Sequence, residues 1–188
     1  MRMKILKPLV MVFLLISTMS CSLVSSERDK FPYEMMIGLN DLPTGFEYGD
    51  SGFPEIKDAT SYYLTYGRIS EEIGALIRHQ ITIYKDVESA QNSYPDWEDQ
   101  WFTDSWSTPD ESSYIPHDPE DIYLLKCLPT QINERQSQAC SLLQLHKNLV
   151  ILVLTNIDSQ NLSFAEFDEI LRKLDARLPS DVVPLPPQ

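Results

Sequence analysis

The sequence predicts an α+β domain: an antiparallel sheet with about two helices packed on one face. Three observations point there. Six short runs carry the aromatic, β-branched and aliphatic content of strands, with turn residues between neighbours. The runs fall into two groups of three. Each group is followed by a segment whose apolar residues recur every three or four positions instead of every two.

Residues 35–43, MMIGLNDLP, read as a first short strand ending in a turn. Pro43 and Gly45 punctuate it, and Phe46 follows as an anchor on the core. The loop GDSGFPEIKD leads to SYYLTYGRI, a second strand. IGALIRHQITIYK, residues 73–85, is a third, with Ile77, Ile81 and Ile83 pointing inward. In DVESAQNSYPDWEDQWF the period changes. Asp86 is a natural N-cap, and Val87, Ala90 and Gln91 begin a helical spacing. Pro95 either interrupts this helix or opens a second short one at its favoured first-turn position. Residues 103–120 are rich in Ser, Asp and Pro and predict a long loop.

The second group is DIYLLKCLP, QACSLLQLH and NLVILVLTNI. The last is apolar enough to be a central strand, and His146-Lys147-Asn148 is the turn before it. Ser163 caps FAEFDEILRKLDARL, where Phe164, Phe167, Ile170, Leu171, Leu174 and Leu178 form a helical stripe. Glu166 at the third helical position completes a capping box.

The organisation read from these patterns has four parts. Residues 1–20 have the basic start, apolar stretch and small polar end of an export signal. The apolar run from Leu9 is too short to span a bilayer, which takes about 20 residues. Residues 21–34 form a polar tether, 35–178 one α+β domain, and 179–188 a proline-rich extended tail.

Ser20-Cys21 resembles the cleavage site of bacterial lipoproteins, where the cut falls before a cysteine that receives a lipid. Thr18 stands where that motif usually has a Leu-like residue, and Thr18-Met19-Ser20 also suits ordinary secretion. The cysteine count separates the two readings. Three cysteines are present: Cys21, Cys127 and Cys140. A lipid on Cys21 leaves Cys127 and Cys140 as one disulfide, tying two neighbouring strands in an oxidising compartment. The competing reading, a redox or metal pair, lacks any CxxC spacing or completing histidines. The expected location is therefore the extracytoplasmic face of a cell membrane, with secretion as the alternative.

The formal charge is −13, with Arg2, Lys4 and Lys7 all ahead of the apolar run. Without that leader, 12 basic residues face 28 acidic ones, a charge of −16. Such a chain repels phosphate backbones, so nucleic acid is excluded as a partner class. Residues 86–121 contain eleven acids, no Lys or Arg, and all three tryptophans: Trp97, Trp101 and Trp106. Indole rings beside carboxylates such as Asp99 and Asp104 suit a sugar or a cationic ligand. The competing reading is plain packing. Trp97 and Trp101 are four apart and share a helix face, with the acids turned to water.

No phosphate-binding glycine loop, calcium loop or nucleophile motif is present. His79, His117 and His146 have no metal-site spacing and read as incidental polar positions. No catalytic residue, metal or cofactor is expected.

Ile37-Gly38-Leu39-Asn40-Asp41-Leu42-Pro43-Thr44-Gly45-Phe46 resembles the opening of small extracytoplasmic domains in uncharacterised bacterial lipoproteins. Ile83-Tyr84-Lys85-Asp86-Val87-Glu88-Ser89-Ala90 is similar to a later segment of the same proteins. The resemblance implies an envelope-facing α+β module without a known catalytic residue. Together these readings predict a lipid-anchored, non-catalytic binding or interaction module, an accessory to an envelope protein partner. The alternative is a carbohydrate- or cationic-ligand-binding protein using Trp97, Trp101, Trp106, Asp99 and Asp104.

Overall fold

The computed structural model describes residues 31–68, 74–132, 135–158 and 160–185. The export signal, Cys21 and most of the tether lie outside them, as do residues 186–188 of the tail. Pro32–Leu185 forms one compact unit. It thus takes in Pro32–Glu34 from the expected tether and Pro179–Leu185 from the expected tail.

The fold is α+β, built on a six-stranded antiparallel sheet in the order β1-β2-β3-β6-β5-β4. The strands are β1 Phe46–Gly52, β2 Ala59–Arg68, β3 Ala75–Tyr84, β4 Ile122–Ile132, β5 Arg135–His146 and β6 Leu149–Ile157. Two α-helices are described, α1 Val87–Trp101 and α2 Phe164–Asp175. Each group of three strands is a meander, and the two meanders join where β3 pairs with β6, Ile81 opposite Ile151. The apolar run of β6 is central in the sheet, and Leu149 to Val153 are essentially inaccessible to water.

The first expected strand is not one. Residues 33–41 hold two 3₁₀ turns, Tyr33–Met35 and Leu39–Asp41. The cause is local: the Asp41 carboxylate accepts from the Gly38 N–H at 2.7 Å and closes the second turn. Gly45 then takes φ +98°, a left-handed value open to glycine, before the true first strand. β1 lies in what the sequence suggests is a loop. Only Phe46 of its residues is buried, so no alternating apolar pattern marks it.

Pro95 does not interrupt α1, which runs continuously through it. Proline deletes one backbone N–H. Packing on both sides outweighs that loss, since Ala90, Tyr94 and Trp97 are all buried against the sheet. Asp86 caps the helix by accepting from Ser89 N–H at 2.7 Å. In α2 the Ser163–Glu166 capping box is present in both directions, and Phe167, Ile170, Leu171 and Leu174 are buried.

The helices lie on opposite faces, which corrects the expectation of one shared face. α1 packs on Tyr84, Leu143, Leu145, Val150 and Leu152. Alternate residues of a strand point to opposite sides. Gln144, between Leu143 and Leu145, accordingly reaches the other way and donates to Asp175 at the end of α2, at 3.2 Å. The loop after α1 passes round the β4 edge between the two faces. Ser107 bridges to Cys127 there, and Ser112 and Ser113 bond the buried Asp168 of α2.

Candidate functional site

Two constellations of polar side chains stand out, one on each face of the sheet. On its own face α1 covers mainly the β5–β6 half. The β1–β3 half of that face is left to side chains that are polar rather than apolar. Ser61, Gln80 and Thr82 are buried there. The Gln80 amide donates to Ser61 Oγ at 3.0 Å, and Ser61 and Thr82 hydroxyls bond at 2.8 Å. Arg78 donates to Gln80 Oε1 at 3.2 Å, and its Cζ lies over the Tyr63 ring, 4.1 Å from the centroid. The Tyr63 hydroxyl in turn donates to Asp50 at 2.7 Å. That bond, with the Ser51 N–H, holds the Asp50 carboxyl below its usual range. A polar row, hydrogen-bonded except where Arg78 stacks on Tyr63, therefore crosses three strands.

A cleft of about 720 Å³ opens above this row. Its far wall is one stripe of α1, with Ser93, Asp96, Trp97, Gln100 and Trp101 at helical spacing. Residues 54–58 close one end. Arg78, Gln80 and Tyr84 belong to its sheet side. Three basic residues (Lys57, Arg78, Lys85) and three acidic ones (Glu55, Asp58, Asp96) line it, so the lining is formally neutral in a chain of −13.

The expected ligand residues divide here. Trp97 and Trp101 both line the cleft. Trp97 is mostly packed, 8% exposed, and its indole N–H donates to the Tyr84 hydroxyl at 2.9 Å. Trp101 is half-buried, and its indole N–H is sheltered from water with no acceptor. Trp106 is elsewhere, edge-on to Phe102 with centroids 5.4 Å apart. Asp99 and Asp104 are exposed and outside the cleft. Helical spacing brought the first pair together. Arg78 and Gln80 escaped the sequence reading because they alternate with His79 and Ile81, whose faces are both buried.

On the α2 face, Asp118, Asp121 and His146 place a ligand atom each within 4.8 Å of one another. This is the group among the described residues whose donor set suits a cation. Its charges are already engaged. His146 Nδ1 faces Asp121 at 2.8 Å and Nε2 faces the Pro179 carbonyl at 2.7 Å. Lys147 Nζ lies 3.1 Å from Asp118. Burial lowers the His146 pKa, but the Asp121 and Pro179 hydrogen bonds and the nearby carboxylates outweigh it and raise the value. Both ring nitrogens face acceptors, so the arrangement fits an imidazolium that fastens the C-terminal segment to the sheet. Asn148 adds a second fastening, donating to Val183 O at 2.7 Å and accepting from Val183 N at 2.9 Å.

His79 is the opposite case. It is fully buried, its Nδ1 accepts from Ile37 N–H at 3.1 Å, and burial drives its pKa to about 3. His117 offers its backbone N–H to Asp175 at 2.6 Å.

Cys127 and Cys140 form a disulfide between β4 and β5, directly opposite one another with Cα atoms 4.1 Å apart. Both backbone hydrogen bonds of Cys127 go outward to Ser107, at 3.0 and 2.7 Å. The pair with Cys140 is thus of the narrow, non-hydrogen-bonded kind, which brings side chains close. Among the described residues no helix is long and apolar enough to cross a membrane.

No family model matches the chain, and no curated protein matches it. Among solved structures, a 1.50 Å crystal structure from Bacteroides thetaiotaomicron is 9% identical. The match covers 69% of this chain and 41% of that one, with a TM-score of 0.34. The chain thus spans less than half the length of that neighbour, and a likeness this distant informs neither site nor function.

Proposed function

We propose that the protein is a non-catalytic binding module, held on the extracytoplasmic face of a bacterial membrane by a lipid on Cys21. Its ligand seat is the cleft between α1, β3 and residues 54–58. One observation carries the reading: the sheet side of that cleft presents Arg78 and Gln80, hydrogen-bonded to each other and backed by Ser61 and Thr82, where a sheet under a helix is ordinarily apolar. Indole, amide, hydroxyl and guanidinium groups converge on it, while neither histidine nor cysteine lines it. The neutral lining gives a simple cation no advantage. The signal grammar of residues 1–20 and the disulfide, which leaves Cys21 unpaired, support the anchored location.

Two measurements test this. Intact mass of membrane-extracted protein is expected to show an acylated chain beginning at Cys21; an unmodified chain starting at Met1 would overturn the location. Ser93→Trp places an indole in the cleft from the α1 wall. Screened against the same glycan and metabolite panel as the wild type, it should lose the wild-type hits. Retention of every hit would rule out the cleft as the seat.

A further inference from the structure

Arg78 has no carboxylate in direct contact: Asp50, on which its charge acts, is bonded to the Tyr63 hydroxyl instead. The chain has 28 acids against 15 basic residues, yet none of the described carboxylates lies within the 4.0 Å ion-pair limit of this arginine. Its Nε–H is sheltered from water without an acceptor, as is the Trp101 indole N–H on the facing wall. Both residues line the same cleft. Tyr63 beneath the guanidinium and the Gln80 amide beside it hold its plane in place. An immobilised planar fork of donors without its own carboxylate matches an incoming carboxylate.

The rest of the lining says what carries that carboxylate. Asn92 and Gln100 offer amides, each able to donate and accept, as a run of sugar hydroxyls requires. The Trp101 ring provides an apolar wall for a pyranose. Glu55, Asp58 and Asp96 oppose a second negative charge, so polyanions are disfavoured.

We propose that the cleft binds a saccharide bearing a carboxylate, an acidic sugar, with Arg78 clasping the acid group. This rests on the cleft being the ligand seat.

The test uses the full chain and three probes: a disaccharide of one galacturonic acid and one galactose unit, which carries a single carboxylate, the matched neutral galactose disaccharide, and acetate. Binding is read by calorimetry and by tryptophan fluorescence. The acidic disaccharide should bind about 10- to 100-fold more tightly than the neutral one, the range of a charge-assisted pair. Acetate alone should bind weakly, since it lacks the ring. Arg78→Gln should erase the preference, so that the two disaccharides bind alike, and Arg78→Lys should keep part of it. The lysine variant also serves if the glutamine variant fails to fold. Equal binding of both disaccharides, unchanged in Arg78→Lys, overturns the acidic-sugar assignment. If Ser93→Trp still abolishes that binding, the cleft remains the seat. Binding of neither disaccharide also overturns the assignment, and the wider screen with Ser93→Trp then judges the cleft by itself.

Discussion

Asp121→Asn tests whether His146 is a buried cation. An imidazole with one ring proton can donate to Asp121 or to the Pro179 carbonyl, but not to both. The side chains of His146 and Asp121 are 5% and 2% exposed, so the pair is shielded from solvent screening. Removing one charge from a buried pair costs about 3–5 kcal/mol. Asparagine still offers an acceptor to the ring, so the lower end applies, about 3 kcal/mol. For a domain of this size that corresponds to a fall of roughly 10 °C in Tm. The pH dependence has a definite sign. The folded pKa of His146 is raised above the unfolded value of about 6.5. Its stabilisation is therefore complete below about pH 6.5 and is lost as pH climbs through the folded pKa. Asp118, Asp121, Glu120 and Lys147 are the charged groups that surround the ring or its neighbour. Urea midpoints followed by circular dichroism should fall in the wild type between about pH 6 and about pH 9. Asp121→Asn should start lower and run nearly flat. Parallel slopes for the two proteins, or ¹⁵N shifts showing a neutral His146 ring at the acid end, would refute the reasoning.

Two further outcomes concern the core and the cross-link. His79, with its pKa near 3, stays neutral in the fold while the unfolded chain protonates it near 6.5, so acid destabilises the protein through this residue. His79→Gln keeps an acceptor for the Ile37 N–H and cannot titrate; thermal melts should show a flatter acid limb, and limbs identical to wild type would contradict the assignment. Reducing the Cys127–Cys140 bond, or replacing both cysteines with serine, should cost about 3 kcal/mol for a loop of this length in the chain-entropy model. Denaturant midpoints that do not move on reduction would mean that strand pairing alone restrains this hairpin.

What the sequence revealed depended on whether a residue's role was local. α2 was legible because its cap, its stripe and its Glu166 all act within four residues, and Phe164–Asp175 matches the predicted start. The turn before β6 was legible for the same reason, with Lys147 at φ +54° in the expected place. β1 was not, because an edge strand with one buried residue needs no apolar alternation. Nor was the placement of α1 and α2 on opposite faces, which depends on how two meanders dock. Of the candidate site, the Trp97–Trp101 pairing could be read from spacing. Arg78 could not: in a strand buried on both sides, RHQIT gives no sign of which polar residue meets water, which meets protein and which meets a cleft.

The joint between the two meanders bears on how the chain folds. β1–β2–β3 and β4–β5–β6 each pair with sequence neighbours, across hairpins. The β3–β6 ladder instead joins Ile81 to Ile151, across α1 and the long acidic segment. Closing that span demands loop entropy that no local hairpin incurs, and non-local pairing slows folding. The half-sheets can form early and separately, with their docking as the slow event. The disulfide lies wholly within the second half, so it can hold that hairpin but cannot shorten the search that unites the sheet. Because the cleft is walled by α1 and floored by β3, its shape is complete only when Tyr84, Leu143 and Leu152 have met beneath the helix.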